Sequence, residues 1–371
     1  MEFVDIRSFG PSFAPDRGQA KEAAPEGFLL AQVHCPEKDR NFLLPSIPNR
    51  MTTREWFPMN YLKAILYPLW LASLLLSMAA ACGGGGSSSP APTLPGTNPA
   101  AAPATTVNHV LVVVLENQNY DDVVGNSAMP YLNGVIPRSA LATQYFANIH
   151  PSIGDYFAMT TGQIITDDDA SSGTVSVDNV VRELTSAGTS WRLYAQGLPS
   201  TGYLGKDVYP YVRHHVPVAY FSDVQDSPAQ QQNLAPLTQL ASDTSSGALP
   251  TFAMVIPDQQ HNAHDCPPSM SHCSKDEQLA GVDQWLQENI DPLLSVPNAV
   301  VIVTFDEAGN DDANGGGHIA TVFMGAGVKP GFRSTTFYQH QSLYRFILEK
   351  SGITALPPEA ASAPSMDEFL Q

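Results

Sequence analysis

The sequence predicts an α/β fold with a mostly parallel central sheet, and three observations carry that expectation. Residues 109–115 read HVLVVVL, apolar at every position after the histidine. A strand apolar on both faces needs cover on both, as in the middle of a parallel sheet. Residues 299–305, AVVIVTF, repeat the design. Around these two runs, strand-like and helix-like segments alternate, which is the order that β-α-β crossovers impose.

In chain order, the pattern predicts a strand at 110–115, an amphipathic helix at 179–187 and a second strand at 191–195. A third strand at 251–256 precedes a long helix at 276–294. A fourth strand at 300–305, a fifth at 319–324 and a closing helix at 341–350 complete the set. No internal repeat is present. Residues 356–371 are rich in Pro and Ala and are expected to form a loose tail.

The start of the chain predicts export. Residues 59–82 place Lys63 ahead of a short apolar run that ends in Ala79-Ala80-Ala81-Cys82, the arrangement of a signal peptide. A cysteine after small residues resembles a bacterial lipobox, which would make Cys82 the lipidated first residue of an envelope lipoprotein. Ala79 stands where a leucine is usual, and cleavage nearby with free secretion is the alternative. Residues 83–107, with GGGGSSSPAPT in their first part, cannot bury enough apolar surface to fold and read as a flexible tether. Residues 1–58 precede a signal that is complete when begun at Met51 or Met59, so they read as a dispensable or wrongly assigned extension.

The chain's 371 residues include 18 Lys plus Arg and 36 Asp plus Glu. The first 81 residues hold 8 of each class, so the remainder carries the whole net charge of -18. Such a surface repels polyanions, which excludes nucleic acid as a partner and leaves membrane attachment to the N-terminal lipid. Of the four cysteines, Cys266 and Cys273 lie seven apart beside His261, His264 and His272. In an exported chain they predict a short-loop disulfide, with a zinc knot as the rival reading.

The candidate site lies at the carboxyl ends of the strands. The first central strand runs into Glu116 and Asn117, and the fourth into Asp306 and Glu307. Ligands of parallel sheets bind beyond such strand ends. Three carboxylates and an amide there suggest an oxygen-rich cation site, although strand-end acids also serve as turn formers or caps. Ser152, in HPSIGDYFAMTTGQ, precedes a helix-like stretch. Its hydroxyl is either an N-cap or a nucleophile at a helix N-terminus whose N–H groups receive a phosphate. IPDQQHNAHD places Asp258, His261 and His264 just after a strand, and VRHHVP offers His214 and His215. His318 follows three glycines that either admit a ligand or form a turn. His340 is expected to be a cap or surface residue.

The blocks ENxxY, PYLN, HPSxxxY with TTG, WRLYAQGLP, YVRHHVP, PDxxHxxH, TFDE and GHIATVFMGAGVKPG occur in that order over residues 108–355. Together they resemble the bacterial phosphoesterase family of secreted acid phosphatases, phosphatidylinositol-3-phosphatase-like enzymes and, more distantly, phospholipases C. The resemblance implies a three-layer α/β/α sandwich like that of alkaline phosphatase. It implies a phosphoric ester hydrolase acting on phosphate monoesters, lipid phosphates among them, with a divalent ion (Ca, Mg, Mn or Zn) as cofactor.

By the same resemblance, Glu116, Asn117, Asp306 and Glu307 bind metal with Asp258 beside them, and Ser152 is the nucleophile. His215 or His261 protonates the leaving alcohol, while His150, Asp155, His264 and His318 face the substrate. Two positions depart from the family. Gly154 and Asp155 replace a Pro-Asn pair, so a carboxylate that repels phosphate unless protonated or turned to a metal stands in place of an amide. Gln196 stands where glutamate is common. A phospholipase C-type phosphodiesterase, a non-catalytic binding lipoprotein and a calcium-stabilised envelope protein are the alternatives.

Overall fold

The computed structural model describes residues 106–371. The extension, the signal segment with Cys82, and the tether up to residue 105 lie outside the described residues. Eight strands form one sheet in the order β4-β3-β5-β1-β6-β7-β2-β8. At its centre, β1 (His109–Leu115) pairs in parallel with β5 (Phe252–Ile256) on one side and β6 (Ala299–Phe305) on the other. Every residue of β5 and β6, and all of β1 after His109, is buried. Cover on both faces makes this a three-layer sandwich, as expected from the unbroken apolar runs.

Outward from β5 lie β3 (Trp191–Ala195) and the short β4 (Leu234–Pro236), both parallel to their neighbours. Beyond β6 the sheet reverses, with β7 (Thr321–Met324) antiparallel to β6 and to β2 (Ala140–Ala142), and β8 (Arg333–Ser334) at the edge. The helices Ile153–Thr161 and Val180–Ser186 both pack on His340–Lys350. Pro130–Val135 and Lys275–Asn289 form a second packed pair.

Local chemistry sets the helix limits. Asn179 accepts from the Arg182 N–H at the start of Val180–Ser186, and Ser274 and Glu277 form a capping box at the start of Lys275–Asn289. The long helix expected to reach 294 stops at Asn289 instead. A 3-10 turn, Asp291–Ser295, comes next, with Pro292 lacking the N–H that would continue an α-helix.

The expectation of a loose tail fails. Residues 358–362 form a helix, Phe369 is fully buried, and its ring stacks on Phe323 at 4.3 Å. Met366, Phe369 and Leu370 supply the apolar face at helical spacing, which the surrounding Pro and Ala content masks.

Candidate active site

The register of the sheet brings the strand-end acids together. Leu115 of β1 lies opposite Phe305 of β6, so Glu116 and Asp306 leave the same edge side by side. Asn117 then turns into the left-handed region at φ 46°, a conformation Asn tolerates better than most residues. In that pose its backbone N–H donates to Asp306 Oδ1 at 3.1 Å and its side-chain amide to Glu307 Oε1 at 2.6 Å.

Ser152 sits over this group. Its Oγ lies 3.3 Å from Glu116 Oε2 and 3.4 Å from Glu307 Oε1, and the residue is only 5% exposed. It occupies the N-cap position of the Ile153–Thr161 helix but makes no capping bond, which removes the bland reading of this serine. The expected phosphate cradle at that N-terminus is not free either. The Ile153 N–H donates to Asp169 Oδ1 at 3.1 Å, and the next two N–H groups bond to Pro151 and Ser152 carbonyls.

Two residues without an assigned role from sequence complete the group. Tyr156, one helical turn beyond Ser152, donates to Glu116 Oε1 at 2.5 Å. His340, expected as a cap or surface residue, is fully buried behind the N-cap Gln339, with Nε2 2.7 Å from the Asp306 carbonyl and 3.3 Å from Asp155 Oδ1. The i+4 spacing from Ser152 to Tyr156 was a usable signal. Nothing near His340 in sequence marks its contact with Asp306.

The electrostatics are those of an overcrowded acid cluster. Burial, then the charges of Asp306 and Glu307, push the Glu116 carboxyl well above its usual range. Burial raises Asp306 as well. Burial and Asp306 push Glu307 up to about 7 despite the opposing pull of His150. His150 Nδ1 stands 2.7 Å from Glu307 Oε2. Burial disfavours its charged form, yet the Asp311 carbonyl and Glu307 carry it net upward. Both members of this pair are thus raised, Glu307 by burial and its acidic neighbour, His150 by the acceptors around it. His215 Nε2 lies 3.3 Å from Glu116 Oε1, and burial drives this ring well below the ordinary histidine range.

Other expected members lie elsewhere. Asp155 is fully buried behind the cluster, accepts from the Asn148 N–H at 2.7 Å, and is driven well above the carboxylate range by burial. With no exposed surface, it is an interior group and not a substrate contact. His318 stacks between Tyr120 and Phe146 at centroid distances of 4.2 and 4.8 Å, and this aromatic sandwich, not a ligand, occupies its faces. The glycines before it serve packing, since a Cβ on Gly316 would sit 2.7 Å from the Ile149 carbonyl oxygen. Asp258 pairs with His261 Nδ1 at 2.5 Å, apart from the contacts that join Glu116, Asp306 and Glu307. His264 is half exposed and pairs with Asp265 at 2.8 Å. The Asp258–His261 pair still borders the cluster, because the Asn262 carbonyl accepts from the Glu116 N–H at 2.8 Å. Cys266 and Cys273 are joined by a disulfide, which settles that pair against the zinc knot.

The donor set fits a hard cation. Asp306 Oδ2 and Asn117 Oδ1 are buried without a hydrogen-bond partner. Beside Asp306 stands Glu116, another carboxyl, which can bond it only while holding a proton. Among the described residues no three His, Cys, Asp or Glu side chains already converge at ligand spacing. A bound ion would therefore draw on Asn117 Oδ1 and Ser152 Oγ as well as carboxylates.

Comparison with known proteins identifies the family. The Phosphoesterase family profile matches residues 126–354. A phosphatidylinositol-3-phosphatase of Mycobacterium tuberculosis is 29% identical over 280 residues, 74% of this chain and 87% of the relative. A probable acid phosphatase of Kluyveromyces lactis is 28% identical over 248 residues, 62% of this chain and 55% of that protein, so the chain spans about half of the yeast relative. A solved structure from Vibrio parahaemolyticus, a protein in the alkaline phosphatase superfamily, shares the fold at TM-score 0.52 with 15% identity, covering 72% of this chain and 73% of that one. The chain belongs to the phosphoesterase family, and the hydrolysis of phosphoric esters expected from its sequence is the chemistry of that family.

Proposed function

We propose that this protein is an exported phosphomonoesterase in which Ser152 attacks phosphorus with the help of a divalent cation. The observation that carries the reading is the placement of Ser152 Oγ within 3.4 Å of both Glu116 and Glu307. A serine at an N-cap that makes no cap bond and instead faces two carboxylates is arranged for proton loss. The names of the two relatives, phosphatidylinositol-3-phosphatase and probable acid phosphatase, support monoesters over diesters.

The proton accounting closes on residues of the site. Ser152 Oγ forms a bond to phosphorus as the ester P–O bond breaks, and its proton passes to Glu307, whose Oε1 lies 3.4 Å away. The leaving alcohol takes a proton from His261, whose Nδ1 is anchored on Asp258. His215 is the weaker candidate for that role, because burial drives its ring well below the ordinary histidine range. Water then attacks the phosphoserine, its proton replaces the one His261 gave up, and Glu307 returns the serine proton. A cation held by Glu116, Asn117 and Asp306, with Glu307 beside it, would supply neutralising charge for the alkoxide and the phosphate oxygens.

The test is turnover of a small aryl phosphate by protein with and without a chelator. Activity that disappears on chelation and returns with Ca, Mg, Mn or Zn supports the reading, and full activity in metal-stripped protein contradicts it. Export with lipidation at Cys82 belongs to the same proposal. It is read out by labelled fatty acid entering the wild type but not Cys82→Ala.

A further inference from the structure

We propose that a second subsite binds an uncharged apolar group carried by the phosphate ester, in a cleft two strands away from Ser152. The inference rests on the phosphoesterase reading above and names the kind of ester the site accepts. The cleft is a cavity of about 650 Å³ between the helix Thr238–Ser246 and the turn just past Lys275–Asn289. Its apolar wall comes from Leu198, Leu237, Leu240, Ala241, Pro292 and Leu293. That volume lies within the range of small-molecule pockets, roughly 300–1,000 Å³.

Charge decides what the cavity can hold. Glu288 is its sole ionisable lining residue, so nothing in it compensates a phosphate, and a phosphate there would meet a like charge. An aliphatic or aromatic body, by contrast, gains about 25 cal/mol for each Å² of apolar surface it removes from water.

Continuity with the catalytic edge gives that body its direction. Gln196, directly after β3, lines both this cavity and a more polar one of about 480 Å³ bordered by His261, Gln260 and Trp285. Glu288 and Asn289 are shared between the two as well. Trp285 Nε1 donates to Gln196 Oε1 at 2.7 Å, and Gln196 Nε2 lies 3.1 Å from His261 Nδ1. His261 in turn precedes Asn262, whose carbonyl meets the Glu116 N–H. The ends of β1, β5 and β3, about 5 Å apart at each step, thus lie between the serine and the cleft. A phosphate placed at Ser152 leaves its alcohol passing His261 and its apolar end in the cleft, roughly 10–15 Å away.

The experiment measures binding of alkylphosphonates, which carry the phosphoryl group and the chain but cannot be hydrolysed at the C–P bond. Methyl-, octyl- and dodecylphosphonate are titrated calorimetrically below their aggregation limits against the protein and against Ala241→Trp, a substitution on the exposed side of the cleft that fills it. Affinity should rise at least ~10-fold from methyl to dodecyl in the wild type. In Ala241→Trp that gain should vanish while methylphosphonate binds as before and aryl phosphate turnover is unchanged. Affinity that is flat with chain length in the wild type overturns the subsite, and so does a gain that survives Ala241→Trp in folded protein. The phosphoesterase reading fails separately, through lack of turnover, because this binding measurement needs none.

Discussion

Asp243 and Asp306 are both buried acids, at 4% and 0% exposure, yet their surroundings are opposite. Asp243 lies near the β3–β4 edge of the sheet and accepts from Gln239 at 2.8 Å, from the Tyr194 hydroxyl at 2.7 Å, and from Arg192. Burial would raise its carboxyl, but these donors hold it below its ordinary value. Asp306, at the end of β6, has one oxygen bonded to the Asn117 N–H and the other without a partner. Among the described residues the ion pairs of its neighbours Glu116 and Glu307 come from histidines, with no Lys or Arg. A fold that can satisfy Asp243 completely leaves Asp306 incomplete, and the difference marks structure from function. Buried groups without partners are costly, so they persist where a ligand completes them.

The largest expected effect breaks the two sites in opposite ways. Asp306→Asn should lower turnover on the order of 10³-fold, while the metal-free protein keeps or gains stability because a like charge leaves the cluster. Asp243→Asn should keep most turnover and lose roughly 1–3 kcal/mol, since Arg192 is deprived of its anion. Denaturant titration and turnover assays on both variants check this. A stability loss at Asp306 with intact turnover would reverse the assignment.

A smaller effect comes from pH. The folded value of Glu307 is about 7, above the unfolded value of about 4.3. An acid raised by folding contributes stability that is full below its unfolded value and is lost as pH climbs through the folded one. Metal-free wild type should therefore lose stability to this group between about pH 4.3 and about pH 7. His215 and His340, pushed down by burial, act in the reverse sense and lose stability as pH falls. The difference between Glu307→Gln and wild type cancels them, and that difference in Tm should grow in favour of the variant as pH rises. A difference that shrinks over this window contradicts the charge crowding.

The comparison also shows what sequence can reveal. β1 and β6 are legible because strands covered on both faces must be apolar throughout, and their acids are legible because strand ends fix where the next residues point. Ser152 is legible through its place before a helix. Contacts made by residues far apart in the chain leave no such trace. His340 meets Asp306 across 34 positions, and the Asp258–His261 pair is told from the carboxylate cluster only by its hydrogen bonds. β4 and β8, three and two residues long, are too short to show periodicity. Phe369 reaches the core from a segment whose composition reads as loose.

The central claim is that the incomplete acid cluster serves Ser152 as a nucleophile, and one measurement bears on it most directly. Protein mixed with an excess of aryl phosphate is quenched in acid within a single turnover, digested and mapped for added phosphoryl groups, beside Ser152→Ala treated the same way. The account predicts phosphoserine at position 152 in the wild type, none in the variant, and a fall in turnover of at least ~10³-fold in folded Ser152→Ala. Near wild-type turnover by that variant, or a phosphoryl group on another residue, would show that the cluster serves a different nucleophile.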